Sequence, residues 1–326
     1  MIVRVVRAVR FGGPEVLEPG WAPDPEAGAG QVVVAVAVAA VDFVQTQVRR
    51  GVTPGPPLPT PPYVPGRSIA GVVASVGAGV DPGWVGRRVV GHTAGGWGGN
   101  AELAVAALDA LVEVPPGVGL TTAAALLDDG ATALGLVEAA GVSAGEWVLV
   151  EAAAGGVGTL LVQLVRAAGA RVVGAARGRS KLDLVTGLGA EAVVDYGEPG
   201  WTDRVRAATG GRGPDLVFDG VGGAIGRAAF EVTARGGRFS VHGAASGSAT
   251  AVDPVEAAGR GVRVLGIEQL YGLRADSLDR ARRVLADPRV RPVIGQAVPL
   301  AEAAAAHAAM EARIVLGKTL LVVGEE

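Results

Sequence analysis

The rhythm of hydrophobic and polar positions changes once along the chain, near Leu120. Before that point apolar residues come in short runs punctuated by Gly and Pro, as in Gln31–Val41, Ile69–Val76 and Arg87–Val90. Turns at Gly77-Ala78-Gly79 and Asp81-Pro82-Gly83 separate them. Strands at this spacing with such turns predict a small β-barrel-like domain. The stretch Thr53–Pro65 holds seven prolines in thirteen residues and must be an extended loop. Gly95-Gly96-Trp97-Gly98-Gly99 predicts another loop, with one large aromatic among residues that allow close backbone approach.

From Thr121 onward helical and strand patterns alternate, which predicts βαβ units and a parallel sheet. Thr121–Ala140 is Ala/Leu-rich and reads as helix, with Gly130 expected to interrupt it. Trp147–Glu151 reads as a strand. Val157, Leu160, Leu161, Leu164, Val165 and Ala168 then follow the spacing of a one-sided helix. Arg171–Ala176 gives the second strand and Ser180–Leu188 the second helix. Further strands are expected at Ala192–Asp195, Asp215–Asp219, Arg238–His242 and Val262–Ile267, then a helix over Leu300–Met310 and a closing strand over Thr319–Val323. No internal repeat interrupts this order.

At 326 residues the chain accommodates two domains with sizeable cores. A net charge of −3 and scattered basic residues argue against a nucleic-acid surface. Cysteine is absent, which removes disulfides, catalytic thiols and thiolate metal sites together. The first residues, Met1 to Arg7, alternate apolar and basic positions like an edge strand and unlike a signal peptide. The run Val32–Val41 is about half of the roughly 20 residues a membrane-spanning helix needs, so it reads as a buried strand. A soluble cytoplasmic protein with no membrane partner is the expectation. Of 29 basic side chains only two are lysines, Lys181 and Lys318.

Candidate chemistry centres on Ala152-Ala153-Ala154-Gly155-Gly156-Val157-Gly158. A strand entering a glycine turn that opens a helix is the geometry that holds a dinucleotide pyrophosphate, because backbone N–H groups at the helix start face the anion. Alanine occupies the first position, where the best-known form of the motif has glycine. At the end of the second strand an NAD site places Asp or Glu for the ribose hydroxyl. This chain has Ala175-Ala176-Arg177-Gly178-Arg179-Ser180-Lys181 instead, and its three cations suit a 2′-phosphate. NADP(H) is therefore the expected cofactor.

These segments, with Gly189-Ala190-Glu191-Ala192-Val193-Val194-Asp195-Tyr196 and Phe218-Asp219-Gly220-Val221-Gly222-Gly223, resemble the medium-chain dehydrogenase/reductase superfamily. The likeness is to its zinc-free quinone oxidoreductase, or zeta-crystallin-like, branch. It runs from Phe11-Gly12-Gly13-Pro14-Glu15-Val16-Leu17, through Pro65-Gly66 and Ile69-Ala70-Gly71-Val72-Val73, to Gly317-Lys318. The resemblance implies an α/β protein with a GroES-like β-barrel catalytic domain (1–120 and 285–326) and a Rossmann doubly wound parallel sheet (121–284). It also implies a homodimer joined near Val262–Ile267. Gly155, Gly156 and Val157 would face the pyrophosphate. Lys181, Tyr196 and Arg177 would flank the 2′-phosphate. Thr132, Val221, His242 and Gly243 would line the ribose and nicotinamide, with Lys318 beside the cofactor.

Zinc members of the superfamily use Cys and His ligands. This chain has no Cys, three scattered His, and Arg67 where the zinc branch has histidine, so no metal site is expected. His92, at a loop start, and His307, on the Ala-rich helix, read as structural. Hydride transfer without a metal suits acceptors that delocalise charge, namely quinones and α,β-unsaturated carbonyls. Asp42, Gln47, Trp97 and Gln269 are the candidate substrate pocket. There the chain departs from the branch: Asp42 replaces asparagine and Gln45 replaces aspartate. Gln47 and Thr53 stand where tyrosines are common, and Ser68 where glutamate is. Asp42 could donate a proton if burial raises its pKa, or could pair with an arginine such as Arg49. The activity expected is NADPH-dependent reduction of a quinone or enone, with a tailored biosynthetic step as one form of it. The alternative is a non-enzymatic NADPH-binding sensor or structural protein.

Overall fold

The computed structural model describes residues 1–52 and 57–324, so Thr53 and part of the expected proline-rich loop lie outside the described residues. The chain forms two compact units. One comprises Met1–Asp128, Ala281–Ala286 and Pro292–Glu326, and the other Asp129–Arg280 and Asp287–Arg291.

The first unit opens with an antiparallel pair, β1 (Ile2–Ala8) and β2 (Leu17–Pro23). There follow β3 (Gln31–Val41), α1 (Phe43–Arg49), β4 (Ser68–Val76), β5 (Arg88–His92), β6 (Leu103–Ala107) and β7 (Leu111–Glu113). The helix α2 (Leu120–Ala140) runs without a break through Gly130, contrary to the expected interruption. A helical glycine costs only about 1 kcal/mol against alanine. Burial of Leu126, Leu127, Ala131 and Ala133 around it outweighs that amount. By length and composition α2 could cross a membrane, but 61% of its apolar window is buried inside the protein, as in a core helix.

The second unit carries β8 (Trp147–Glu151), α3 (Gly156–Ala167), β9 (Arg171–Ala176), α4 (Arg179–Gly187), β10 (Ala192–Asp195) and α5 (Trp201–Ala208). It continues through β11 (Leu216–Asp219), α6 (Gly223–Val232), β12 (Arg238–Val241), α7 (Pro254–Arg260), β13 (Arg263–Leu265), α8 (Gln269–Leu273) and the start of α9 (Ser277–Ala286). Its six strands are all parallel, in the order β10-β9-β8-β11-β12-β13. The sequential direction reverses between β8 and β11, the switch point of a doubly wound sheet where ligands bind. Because helices cover both faces, the strands read as near-continuous apolar runs, and Val148, Leu149, Val150, Val172, Val173 and Val217 are fully buried.

The tail returns to the first unit with β14 (Ile294–Pro299), α10 (Ala303–Glu311) and β15 (Lys318–Val322). The resulting seven-stranded sheet runs β14-β15-β3-β4-β5-β7, with β6 also paired to β3. Val34, Ile69, Val89 and Leu321 close its core with Val6, Val16 and the small residues Ala303 and Ala306 of α10. One register relation positions the chemistry. Thr319 faces Val41, Ala40 faces Ser68, and Ser68 faces His92.

Candidate functional site

That register brings four strand ends to one end of the first unit's sheet. Lys318 opens β15, Asp42 follows the last residue of β3, Ser68 opens β4, and His92 closes β5. The Lys318 ammonium, only 4% exposed, donates to the Asp42 carboxylate. A buried ammonium requires such a counter-charge. Arg49, one candidate partner for Asp42 in the pairing alternative, is instead buried on another network, donating to the Gly12 carbonyl at 3.0 Å and to Glu311. Arg50 also grips Glu311, at 3.0 and 2.9 Å. The reason is length. Asp42 and Arg49 are separated by nearly the whole of α1, about 10 Å at the helical rise, which exceeds ion-pair reach.

A second polar cluster at this sheet end escaped sequence reasoning. Asp128, on α2, accepts from His92 Nε2 at 2.9 Å and from the Ser68 hydroxyl. Arg67 stands beside both, with Nη2 3.4 Å from His92 Nδ1 and Nη1 3.8 Å from Asp128. A guanidinium can only donate, so in the Arg67 contact His92 Nδ1 is the acceptor, while Nε2 faces Asp128. Burial pushes the Asp128 carboxyl up, but His92, Arg67 and Ser68 together hold it well below the usual carboxylate range. His92 is the last residue of β5, not a loop residue, and it is not isolated. The available signal was the adjacent pair Asp128-Asp129 inside an otherwise apolar helix. Local spacing could not show that β4 and β5 deliver Ser68 and His92 to it.

Of the other pocket candidates, Gln47 is half-buried on α1 and donates to its neighbour Thr46 at 3.2 Å. Trp97 packs edge-on against Tyr63, ring centroids 5.4 Å apart, and burial pushes the Tyr63 phenol up to about 12. Gln269 belongs to the second unit and turns its amide into its own sheet, donating to Val241 and Leu265 carbonyls at 2.8 and 3.1 Å. His307 is fully buried, and burial lowers its pKa to about 4 with Arg49 adding to the shift.

In the second unit β8 runs into the glycine turn. Ala152 adopts φ +48°, the left-handed region that favours glycine, and its carbonyl accepts from Gly155 at 2.9 Å to close the turn. The missing first glycine of the motif therefore leaves a strained alanine, at roughly 1 kcal/mol. Gly158 must lack a side chain because a Cβ there would meet the Ala152 carbonyl. Gly155 caps α3, which opens at Gly156, and an unexpected group sits there: a Cβ on Gly156 would collide with the Asp129 carboxylate. Val157 lies in the first turn. The end of α3 expected to meet the pyrophosphate thus has a carboxylate beside it.

At the end of β9, the Arg177 guanidinium stands over the Tyr196 ring, 5.8 Å from its centroid. Gly178, at φ +88°, leads into α4, which carries Lys181 in its first turn. Arg179 pairs with Asp183 at 2.7 Å. The sheet supplies a carboxylate that the local motif lacks, Asp195 at the end of β10, but its oxygens accept from Gly178 and Gly197 N–H at 2.8 and 2.7 Å. Arg177 and Lys181 bring positive charge to this corner.

Across the switch point, the ends of β8 and β11 place Glu151 next to Asp219. Both are fully buried. Asp219 accepts from the Val221 and Gly222 N–H groups at 3.0 and 2.7 Å and from the Thr250 hydroxyl at 2.5 Å. Burial, then the neighbouring Asp219, push the Glu151 carboxyl well above its ordinary pKa. His242 follows β12 against Phe218, and burial lowers its pKa to about 4 against the opposing pull of Asp219. Gly243 approaches the Gly220 backbone too closely for a side chain. Thr132 lies half-buried on α2, one turn after Asp128. Sequence reasoning singled out Val221, His242 and Gly243 as candidates and did not point to the carboxylate pair beside Val221.

Two family models match the chain, an alcohol dehydrogenase GroES-like domain over residues 28–116 and a zinc-binding dehydrogenase over residues 156–276. Among the described residues no group of three or more His, Cys, Asp or Glu is arranged to hold a metal ion. The chain is 31% identical to quinone oxidoreductase of Sus scrofa, over 98% of each chain. It is 32% identical to quinone oxidoreductase of Pseudomonas aeruginosa, over 97% of this chain and 98% of that one. Among solved structures it resembles a mycobacterial protein complexed with NADPH, at 32% identity, TM-score 0.88 and coverage of 98% and 99%. Escherichia coli quinone oxidoreductase complexed with NADPH gives 26% identity and TM-score 0.88, with the same coverage. The chain belongs to the quinone oxidoreductase branch of the medium-chain dehydrogenase/reductase superfamily, with a GroES-like domain and a Rossmann-type domain.

Proposed function

We propose that the protein is an NADPH-dependent, zinc-independent reductase that passes hydride to a quinone or an α,β-unsaturated carbonyl. The carrying observation is the second unit's phosphate geometry. A glycine turn opens α3, and the next strand ends on Arg177, over Tyr196, with Lys181 one helical turn away and Asp195 engaged by backbone. A fixed guanidinium and a nearby ammonium match a 2′-phosphate, whereas a free carboxylate for the ribose hydroxyls of NADH is missing from the end of β9. The relatives solved with NADPH support the same cofactor. In this reading the second unit is the cofactor domain. Gly155, Gly156 and Val157 meet the pyrophosphate, and Thr132, Val221, His242 and Gly243 the nicotinamide half. The first unit is the catalytic domain, with Asp42 and Lys318 as an anchored ion pair. Bound cofactor supplies the hydride, and the protein supplies orientation and electrostatics. The protein works as a soluble cytoplasmic homodimer.

The test follows consumption of reduced nicotinamide with NADPH and NADH against a panel of quinones and enones. NADPH turnover with at least one acceptor is expected, and tight NADPH binding without any turnover would refute the enzyme reading. Replacing Arg177 and Lys181 by alanine should weaken NADPH about tenfold or more, as loss of charge-assisted hydrogen bonds does, and NADH much less. Equal losses for the two cofactors would remove the 2′-phosphate assignment.

A further inference from the structure

We propose that Arg67 is a catalytic residue of this reductase, a protein-borne electrophile that binds the carbonyl oxygen of the acceptor and stabilises the oxyanion formed there. The inference rests on the reading above and names a group in the first unit that it leaves unassigned. Among the cations at the strand-end row, Lys318 is buried on Asp42, whereas the Arg67 side chain is 48% exposed. Its tether is loose on the acid side, 3.8 Å from Asp128, a carboxylate that His92 and Ser68 contact more closely. The guanidinium therefore keeps its charge and donors available outward while its other side is fixed through His92 Nδ1.

The backbone beneath Arg67 is equally fixed. Gly66 sits at φ +96°, and a Cβ there would press on the Asn100 backbone nitrogen at 2.5 Å. Hydrogen bonds run from Gly99 to the Gly66 carbonyl at 2.9 Å and from Thr93 to the Arg67 carbonyl at 2.8 Å. A cation oriented before substrate arrives is what electrostatic catalysis requires.

Hydride, a proton with its electron pair, reaches the β-carbon of the enone from NADPH. The alkene pair moves into the new enolate double bond, and the carbonyl pair moves onto oxygen against Arg67. A water proton on the α-carbon then restores the carbonyl, leaving saturated ketone and NADP⁺. Quinones place the same charge on their oxygen. Ser68, His92 and Asp128 are positioning residues for Arg67.

Arg67→Gln and Arg67→Lys test the assignment in the full-length protein. Loss of a preorganised oxyanion donor should lower kcat about 100-fold in Arg67→Gln, less in Arg67→Lys, with NADPH affinity unchanged. Added guanidinium ion should restore part of the Arg67→Gln activity, which a merely structural defect would not allow. Binding of 4-nitrophenolate, a stable stand-in for the enolate oxygen, reads the same contact without turnover. It should be about tenfold weaker in Arg67→Gln, as for loss of one charge-assisted bond, and weakened less in Arg67→Lys. Unchanged kcat in a variant of an enzyme that does turn over, or equal phenolate affinity in wild type and Arg67→Gln, would overturn the proposal. Failure of every acceptor with wild type, alongside Arg67-dependent phenolate binding, would instead refute the reductase reading and leave the oxyanion site standing.

Discussion

Two buried carboxylates side by side at the switch point cannot both ionise cheaply, and the structure settles which one yields. Asp219 has three donors on its oxygens and Glu151 has no partner at full hydrogen-bond geometry, so the charge resides on Asp219 and the proton on Glu151. The consequence for stability has a definite sign. A carboxyl whose pKa is raised on folding contributes stability that is complete below its unfolded pKa and is lost as pH rises through the folded value. The wild-type protein should therefore lose stability above about pH 4.5, by at most about 1.4 kcal/mol per pH unit, until Glu151 ionises. Glu151→Gln keeps a neutral group of similar shape and should flatten that slope, which urea midpoints between pH 5 and 8 would measure. Parallel slopes in the two proteins would mean that Glu151 is not the titrating group.

At the scale of elements, the N-terminus of α3 is the part of the proposed cofactor site where the structure adds a charge that local sequence does not show. A helix start with glycines invites an anion, but Asp129 holds a negative charge against Gly156. Asp129→Asn should tighten NADPH binding about twofold to fivefold at low salt, the scale of one charge at a helix end, and the gain should shrink as ionic strength rises. Fluorescence titration of NADPH at two salt concentrations checks it; weaker binding would mean that Asp129 supports the turn. The asymmetry between what was legible and what was not has one physical source. The turn, α3, β9 and the basic corner are contiguous in sequence, so spacing and period revealed them. Asp129 against Gly156, Asp195 under Gly178, and Asp128 between Ser68 and His92 are each made by residues far apart along the chain. Their meeting depends on sheet register, which no local pattern carries. The supposed break at Gly130 failed for a related reason, since burial around the glycine decided the outcome and local propensity did not.

At the scale of the molecule, the change of hydrophobic rhythm near Leu120 announced two architectures, while the boundary between the compact units falls inside α2, at Asp128 and Asp129. A continuous helix hides a boundary from any reading based on breaks. The proposed homodimer turns on a feature the strand order makes explicit: β13 is the terminal strand of the parallel sheet, paired only with β12. It is short, and its Val264 side chain is partly exposed next to an exposed Arg263. An unpaired edge with an apolar residue is a template for pairing, and isolated monomers usually blunt such edges with charge or proline. Two copies joined edge to edge would continue the sheet from one protomer into the next. Val264→Lys adds the kind of charge that protects natural edges, at a site too exposed for the change to disturb the core. The expected outcome is a wild-type dimer by sedimentation velocity and a folded, NADPH-binding monomer for Val264→Lys. A wild-type monomer, or a dimer indifferent to the substitution, would separate β13 from assembly and direct attention to another surface.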